Sequence, residues 1–174
     1  METHDLHTTA LLKETMGNYF ARLGASRDRG RKVAWCTSVG PAELLLSFGF
    51  DVYFPENHGA LLGATRTAGD MVATAAKQGY ASDICSYLTS DIGSFLENRT
   101  PLQKHYGLHN VPPPDLLIYN TNQCREVQEW FQFYARRLKV PIAGITPPRY
   151  LDEVTNADID NVVAQFKALI PLCE

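Results

Sequence analysis

The run Lys32–His58, KVAWCTSVGPAELLLSFGFDVYFPENH, constrains the fold more than any other stretch of the chain. Lys32–Ser38 reads as a buried strand and Val39–Gly40–Pro41 as a turn. Pro41–Phe48 reads as a helix opening on proline, whose missing N–H and fixed φ suit the first helical turn. Gly49 ends that helix, and Phe50–Phe54 is a second short apolar strand stopped by Pro55. A strand–turn–helix–strand unit of this kind places its working residues at the carboxyl ends of its strands. Those ends are Cys36-Thr37-Ser38 and Glu56-Asn57-His58, so two polar clusters are expected at one edge of a parallel sheet.

The flanking sequence repeats the pattern. Leu6, Leu11, Leu12, Met16, Tyr19, Phe20 and Leu23 recur at helical spacing, which predicts an amphipathic helix over residues 5–24, stopped by Gly24. Residues 1–30 then form a helical arm and residues 31–174 a single α/β domain. Packing of the arm on the domain is the ordinary meaning of such a stripe, and packing on a partner chain is the alternative. His58–Gln78 reads as helical although Gly59, Gly63 and Gly69 weaken it, and Gly79 closes it. Ser82 or Asp83 caps a helix over Ile84–Leu96 with Cys85 in its first turn. Asn98–Asn110 reads as a polar loop. Pro112–Pro114 leads into a third strand, DLLIYN, whose continuation Thr121–Cys124 is another strand end, followed by a helix over Arg125–Leu138. Val140–Ile145 is a fourth strand ended by Pro147–Pro148. Asp158–Ile170 is the last helix, capped by Thr155 or Asn156. Short β-branched runs alternating with helices predict an α/β fold with a doubly wound, mainly parallel, four-stranded sheet. No internal repeat, low-complexity tract or interdomain linker interrupts it.

The chain has 174 residues, 45% of them apolar and 20% charged, enough for one real core. A net charge of −3 with no dominant basic face argues against a nucleic-acid partner. No apolar run approaches the roughly 20 residues that span a bilayer, and the polar start is unlike a signal peptide. The expectation is a cytoplasmic protein without a membrane partner. Its four cysteines, Cys36, Cys85, Cys124 and Cys173, then read as thiols or metal ligands rather than disulfides. They stand 49, 39 and 49 residues apart, so a joint site must be assembled by the fold.

Several positions carry chemistry. Cys36 has the strand-end setting of a phosphatase nucleophile, but the sixth residue onward, where an arginine should grip phosphate, is Ala42. A buried small thiol is the remaining reading. Cys85 opens a helix and Cys124 ends a strand before one. Helix amino termini stabilise thiolates, and thiolates from separate segments suit an iron–sulfur cluster, although spacing alone does not separate ligands from plain thiols. Glu56 and His58 have the chemistry to orient a substrate or move a proton, against a competing role of Glu56 or Asn57 as helix cap. Ser38 is either a hydrogen-bond donor to a ligand or a turn-forming hydroxyl. His105 and His109 read as solvated. A flavin site would need a Ser/Thr-rich phosphate loop after the first strand, which Thr37–Pro41 does not supply.

Taken together, these segments resemble a known family. Cys36–Leu44 is similar to the C-x-x-x-x-P-x-E-[LI] segment that opens 2-hydroxyacyl-CoA dehydratase and benzoyl-CoA reductase subunits. Pro55–Ala60, PENHGA, resembles the segment that follows in the reductase branch. Cys85 with Gly93 resembles the family's second cysteine segment, and Asp115–Cys124 with Trp130 its third. The motifs come in family order over about residues 31–150, the amino-terminal half of such subunits. The resemblance implies a flavodoxin-like three-layer α/β domain beside a [4Fe-4S] cluster and a bound acyl-CoA. It implies a homologous partner subunit and an ATP-dependent activator protein that delivers one electron at very low potential. That electron reaches the thioester carbonyl by way of the cluster, giving a ketyl-type radical. In the dehydratases the radical expels a hydroxyl, and in the reductases the electron enters an aromatic ring. By position Cys85 and Cys124 are implied cluster ligands, with Cys36 close to the cofactor, and Ser38 and Glu56 implied substrate contacts. Family subunits are about twice this length, a second α/β domain bringing the third ligating cysteine, and that domain is absent from this chain. A cluster-free α/β partner or CoA-binding module is the alternative from a different class.

Overall fold

The computed structural model describes residues 7–81, 83–122, 124–149 and 152–174. Its elements are α1 (His7–Gly24), β1 (Val33–Cys36), α2 (Ala42–Ser47), β2 (Asp51–Tyr53), α3 (Pro55–Ala64) and α4 (Ala68–Ala76). There follow α5 (Ser86–Glu97), α6 (Leu102–Tyr106), β3 (Leu116–Asn120), α7 (Glu126–Leu138), β4 (Ile142–Ile145) and α8 (Asn156–Cys173). The strands form one sheet in the order β2-β1-β3-β4, parallel at every pairing. Helices cover both faces, which makes the three-layer, parallel α/β architecture expected from the sequence. The order reverses between β1 and β3, and a doubly wound sheet opens its ligand crevice outside the carboxyl ends at such a point.

Strand side chains alternate between the faces. Val33 and Trp35 of β1 enter a core with Leu23, Leu88, Ile92, Leu117 and Phe131, covered by α1 and α4 to α7. Ala34 and Cys36 enter a second core with Leu45, Phe50, Ile118 and Leu169, covered by α2 and α8. Burial on both faces explains why the strands read as unbroken apolar runs. The amino-terminal helix packs on the domain. Phe20 and Leu23 are buried, and the Tyr19 hydroxyl donates to the Val52 carbonyl at 2.7 Å. Asp51, buried at the start of β2, accepts from Ser26 Oγ at 2.7 Å and pairs with Arg22 and Arg29.

Four local expectations change. His58–Gln78 is two helices, and the break falls at Thr65–Thr67 rather than at a glycine. Arg66 adopts a left-handed φ of 57°, and Thr65 Oγ1 donates back to the Leu61 carbonyl at 2.8 Å. Hydroxyls that bond the preceding turn compete with helix continuation. The predicted loop Asn98–Asn110 contains α6, because Leu102 and Leu108 find the core and Gly107, with φ 70°, closes the short helix. α5 begins at Ser86, so Cys85 immediately precedes the helix, and among the described residues no side chain caps it. Ser82 and the part of the first helix before His7 lie outside the described residues. α8 starts earlier and ends later than expected, and Thr155 is the cap. The Asp158 N–H donates to Thr155 Oγ1 at 3.3 Å and the Thr155 N–H to Asp158 Oδ2 at 3.0 Å, a capping box. Among the described residues no helix is long and apolar enough to cross a membrane.

Gly93 sets the closeness of α4 to α5, since a Cβ there would lie 1.9 Å from the Met71 carbonyl oxygen. Gly93→Ala is expected to lower stability by about 3 kcal/mol through overpacking. The loss should show as a lower denaturation midpoint at unchanged slope. An unchanged midpoint would mean that the two helices are free to separate.

Candidate functional site

After β1 the chain enters a turn that is bonded on both sides. Toward β3, the Thr37 N–H donates to the Ile118 carbonyl at 3.1 Å, the Asn120 N–H to Thr37 Oγ1 at 3.0 Å, and Asn120 Nδ2 to the Val39 carbonyl at 2.9 Å. Toward α3, the Ser38 N–H donates to Glu56 Oε2 at 2.5 Å and Ser38 Oγ to Asn57 Oδ1 at 3.1 Å. Gly40 permits the turn, because a Cβ there would lie 2.4 Å from Cys36 Sγ. Ser38 and Glu56 are thus brought together at the carboxyl edge, Ser38 exposed and Glu56 half-buried. Neither Glu56 nor Asn57 caps a helix, since α3 starts at Pro55 and no side chain bonds its first turn. The Glu56 carboxylate lies in that first turn, where the helix dipole favours negative charge.

His58 faces inward. Its ring is buried, with Nδ1 2.5 Å from Asp91 Oδ1 and Nε2 2.8 Å from Thr100 Oγ1. The second Asp91 oxygen accepts from Trp130 Nε1 at 3.0 Å and from the Tyr134 hydroxyl. Burial, reinforced by the Asp91 carboxylate, holds the Tyr134 and Tyr53 hydroxyls well above the ordinary phenol pKa, so both stay protonated. Sequence reasoning missed Asp91. Its signal is a lone acid among the apolar positions Leu88, Ile92 and Phe95 of one helix, where a buried charge demands partners.

The four cysteines are free and differ in depth. Cys36 and Cys173 are buried in the core beneath α2 and α8. Desolvation pushes the Cys36 thiol up to about 12 and raises that of Cys173. Cys85 is half-buried just before α5, and Cys124 is exposed two residues before α7. These two helices run in the same sense: Asp91 bonds Trp130, and Phe95, one turn on, packs edge-on against Tyr134 at 5.2 Å. Cys85 stands six residues before Asp91, and Cys124 six before Trp130. Both therefore lie at the end where α7 begins after β3, the carboxyl edge. Thr121, just after β3, is buried with a hydroxyl that has no hydrogen-bond partner among the described residues.

Among the described residues no three His, Cys, Asp or Glu side chains gather as a metal centre. The accessible donor set at the edge is two thiols, about half of what a four-iron cluster takes from protein. Cys36, enclosed in an apolar core, adds none. The residues present therefore fit a share of a cluster site and not a complete one. His105 and His109 are exposed, away from any such grouping.

A family model described as 2-hydroxyglutaryl-CoA dehydratase, D-component, matches residues 37–174. The (R)-2-hydroxyisocaproyl-CoA dehydratase alpha subunit of Clostridioides difficile is 32% identical over 167 residues, 94% of this chain and 39% of the relative. The (R)-phenyllactyl-CoA dehydratase alpha subunit of Clostridium sporogenes is 29% identical, over 86% of this chain and 35% of its own. A benzoyl-CoA reductase subunit of Thauera aromatica is 29% identical, over 93% of this chain and 37% of its own. The chain spans less than two fifths of the length of each of these relatives.

Two outcomes check this geometry. In native protein at about pH 8, iodoacetamide should modify Cys124 and spare Cys36, because only the thiolate reacts. Peptide mass spectrometry reads the pattern, and equal rates would contradict the burial of Cys36. Asp91→Ala strands His58, Trp130 and Tyr134 without their acceptor and should lower stability by about 3 kcal/mol in denaturant unfolding. A loss below about 1 kcal/mol would mean that the network does not hold the helices.

Proposed function

The chain belongs to the 2-hydroxyglutaryl-CoA dehydratase D-component family, and from that membership we propose that it is a subunit, or a domain of one, of an iron–sulfur acyl-CoA enzyme. The reading is supported by one observation above the rest: a single sheet edge carries the Ser38–Glu56 pair and the two accessible thiols. In this reading Cys85 and Cys124 are two ligands of a [4Fe-4S] cluster whose other ligands come from outside this chain. Such a cluster, when bound, supplies single electrons for ketyl-radical chemistry on the thioester.

This chain's own residues bind and orient. The Ser38 hydroxyl, released from Asn57, donates to the thioester carbonyl and so favours negative charge on that oxygen. The Glu56 carboxylate is fixed through one oxygen by the Ser38 N–H. Its other oxygen is left to accept from a hydroxyl of the substrate. His58 is a positioning group in this reading, since both ring nitrogens are engaged. The partners are an acyl-CoA, a homologous partner subunit and an ATP-dependent activator protein, in the cytoplasm where thiols stay reduced. Relatives of the dehydratase and reductase kinds match at 32% and 29% identity, so both branches remain within the proposal. A second reading, a cluster-free CoA-binding module, is favoured by the lack of a third ligand among the described residues.

Iron and acid-labile sulfide analysis of this chain in complex with the partner that supplies the remaining ligands, purified and reconstituted without oxygen, separates the two. About four irons per chain, lost on Cys85→Ala or Cys124→Ala, is the expected result. Iron-free protein under those conditions supports the cluster-free module instead. In an active complex Glu56→Gln should lower turnover at least about tenfold with iron content unchanged. Unaltered turnover removes Glu56 from the catalytic set.

A further inference from the structure

We infer that the apolar cavity between α1, α3 and α6 receives the acyl group of the thioester, and that the chain thereby selects uncharged apolar acyl groups over acyl groups bearing a second carboxylate. The inference rests on the reading of the carboxyl edge as an acyl-CoA site and names the substrate class of that site.

The cavity measures about 260 Å³ and is walled by Met16 and Phe20 of α1, Phe54 and Leu61 beside and within α3, and Leu102 and Tyr106 of α6. Asn57 joins it to the edge, because this residue lines the cavity while its Oδ1 accepts the Ser38 hydroxyl. α3 is built for both tasks. Its first turn carries Glu56, and Asn57, Ala60, Leu61 and Ala64 fall on one helical face along the cavity wall. The two alanines leave the space open. Gly59, off that face, lies against Tyr87 of α5, where a Cβ would come within 2.9 Å of the Tyr87 carbonyl oxygen.

Size and charge define the occupant. An apolar cavity of about 150 Å³ holds a benzene ring, so this one has room for a ring with a short chain or a branched chain of about six carbons. Among the described residues no Lys, Arg, Asp or Glu lines it, and His58, the one imidazole among them in the wall, is engaged at both nitrogens. A carboxylate carried into this cavity finds no cation and loses its water, which is strongly unfavourable. An aliphatic or aromatic acyl group loses only unfavourable hydration.

Calorimetric titration of the chain with 4-methylpentanoyl-CoA, 3-phenylpropanoyl-CoA, glutaryl-CoA and free CoA tests this. The two apolar thioesters should bind at least about tenfold more tightly than glutaryl-CoA. Ala60→Phe and Ala64→Phe each fill the cavity and should abolish that preference while leaving the affinity for free CoA within about twofold. Ala64 is exposed, so its variant keeps the fold if Ala60→Phe does not, and thermal melting checks both. Equal affinity for apolar and glutaryl thioesters, or a full preference retained in both filled variants, would overturn the inference and leave the acyl-CoA reading intact. Absence of binding by free CoA and every thioester would overturn the acyl-CoA reading and this inference with it.

Discussion

A single buried carboxylate governs the geometry of the site. Asp91 of α5 is shared by His58 of α3 and by Trp130 and Tyr134 of α7, so one side chain ties together α3, which bears Glu56, and the two helices that Cys85 and Cys124 precede. Withdrawing a carboxylate from water costs several kcal/mol unless its oxygens are fully bonded, and here each oxygen has a donor. The constraint is therefore directional: the helices cannot slide or rotate without stranding a buried charge. The helix starts, and with them the edge chemistry, inherit that rigidity.

The second constraint is the turn after β1. It is bonded to β3 through Asn120 and to α3 through Glu56, so the switch-point crevice is closed on both flanks by hydrogen bonds rather than by packing. Ser38 is left exposed between them. A hydroxyl at such a place exchanges an internal acceptor for a ligand at little cost, because one hydrogen bond replaces another. The apolar cavity beyond Asn57 extends the same edge away from the sheet, so polar recognition and apolar volume meet at one helix start.

Much of this was legible in the sequence, for identifiable reasons. The first strand–helix–strand unit was readable because Pro41, Gly49 and Pro55 punctuate it, and the third strand because the proline run isolates DLLIYN. The Cys36–Leu44 and Pro55–Ala60 segments and the two later cysteine segments carried the family, which the match over residues 37–174 bears out. Depth was less legible. Cys36 and Ser38 are two residues apart at one strand end, yet Cys36 follows Ala34 into the α2–α8 core while Ser38 lies past the strand in water. Strand parity would put both on one face, so the distinction lies in where β1 ends, at Cys36. The inward turn of His58 was hidden, since its partners lie 33 and 42 residues away and only tertiary contact reveals them. The break at Arg66 was hidden for a different reason: threonine hydroxyls ended the helix where the glycines did not.

Everything proposed for the edge requires Cys85 and Cys124 to share one end of the α5–α7 pair. Nitroxide labels on these two residues, in a chain carrying Cys173→Ser, report their separation by electron paramagnetic resonance. The expected separation is shorter than the length of α5, which at 12 residues is about 18 Å. A separation of about 25 Å or more would place the cysteines at opposite ends of the helix pair and contradict a shared site.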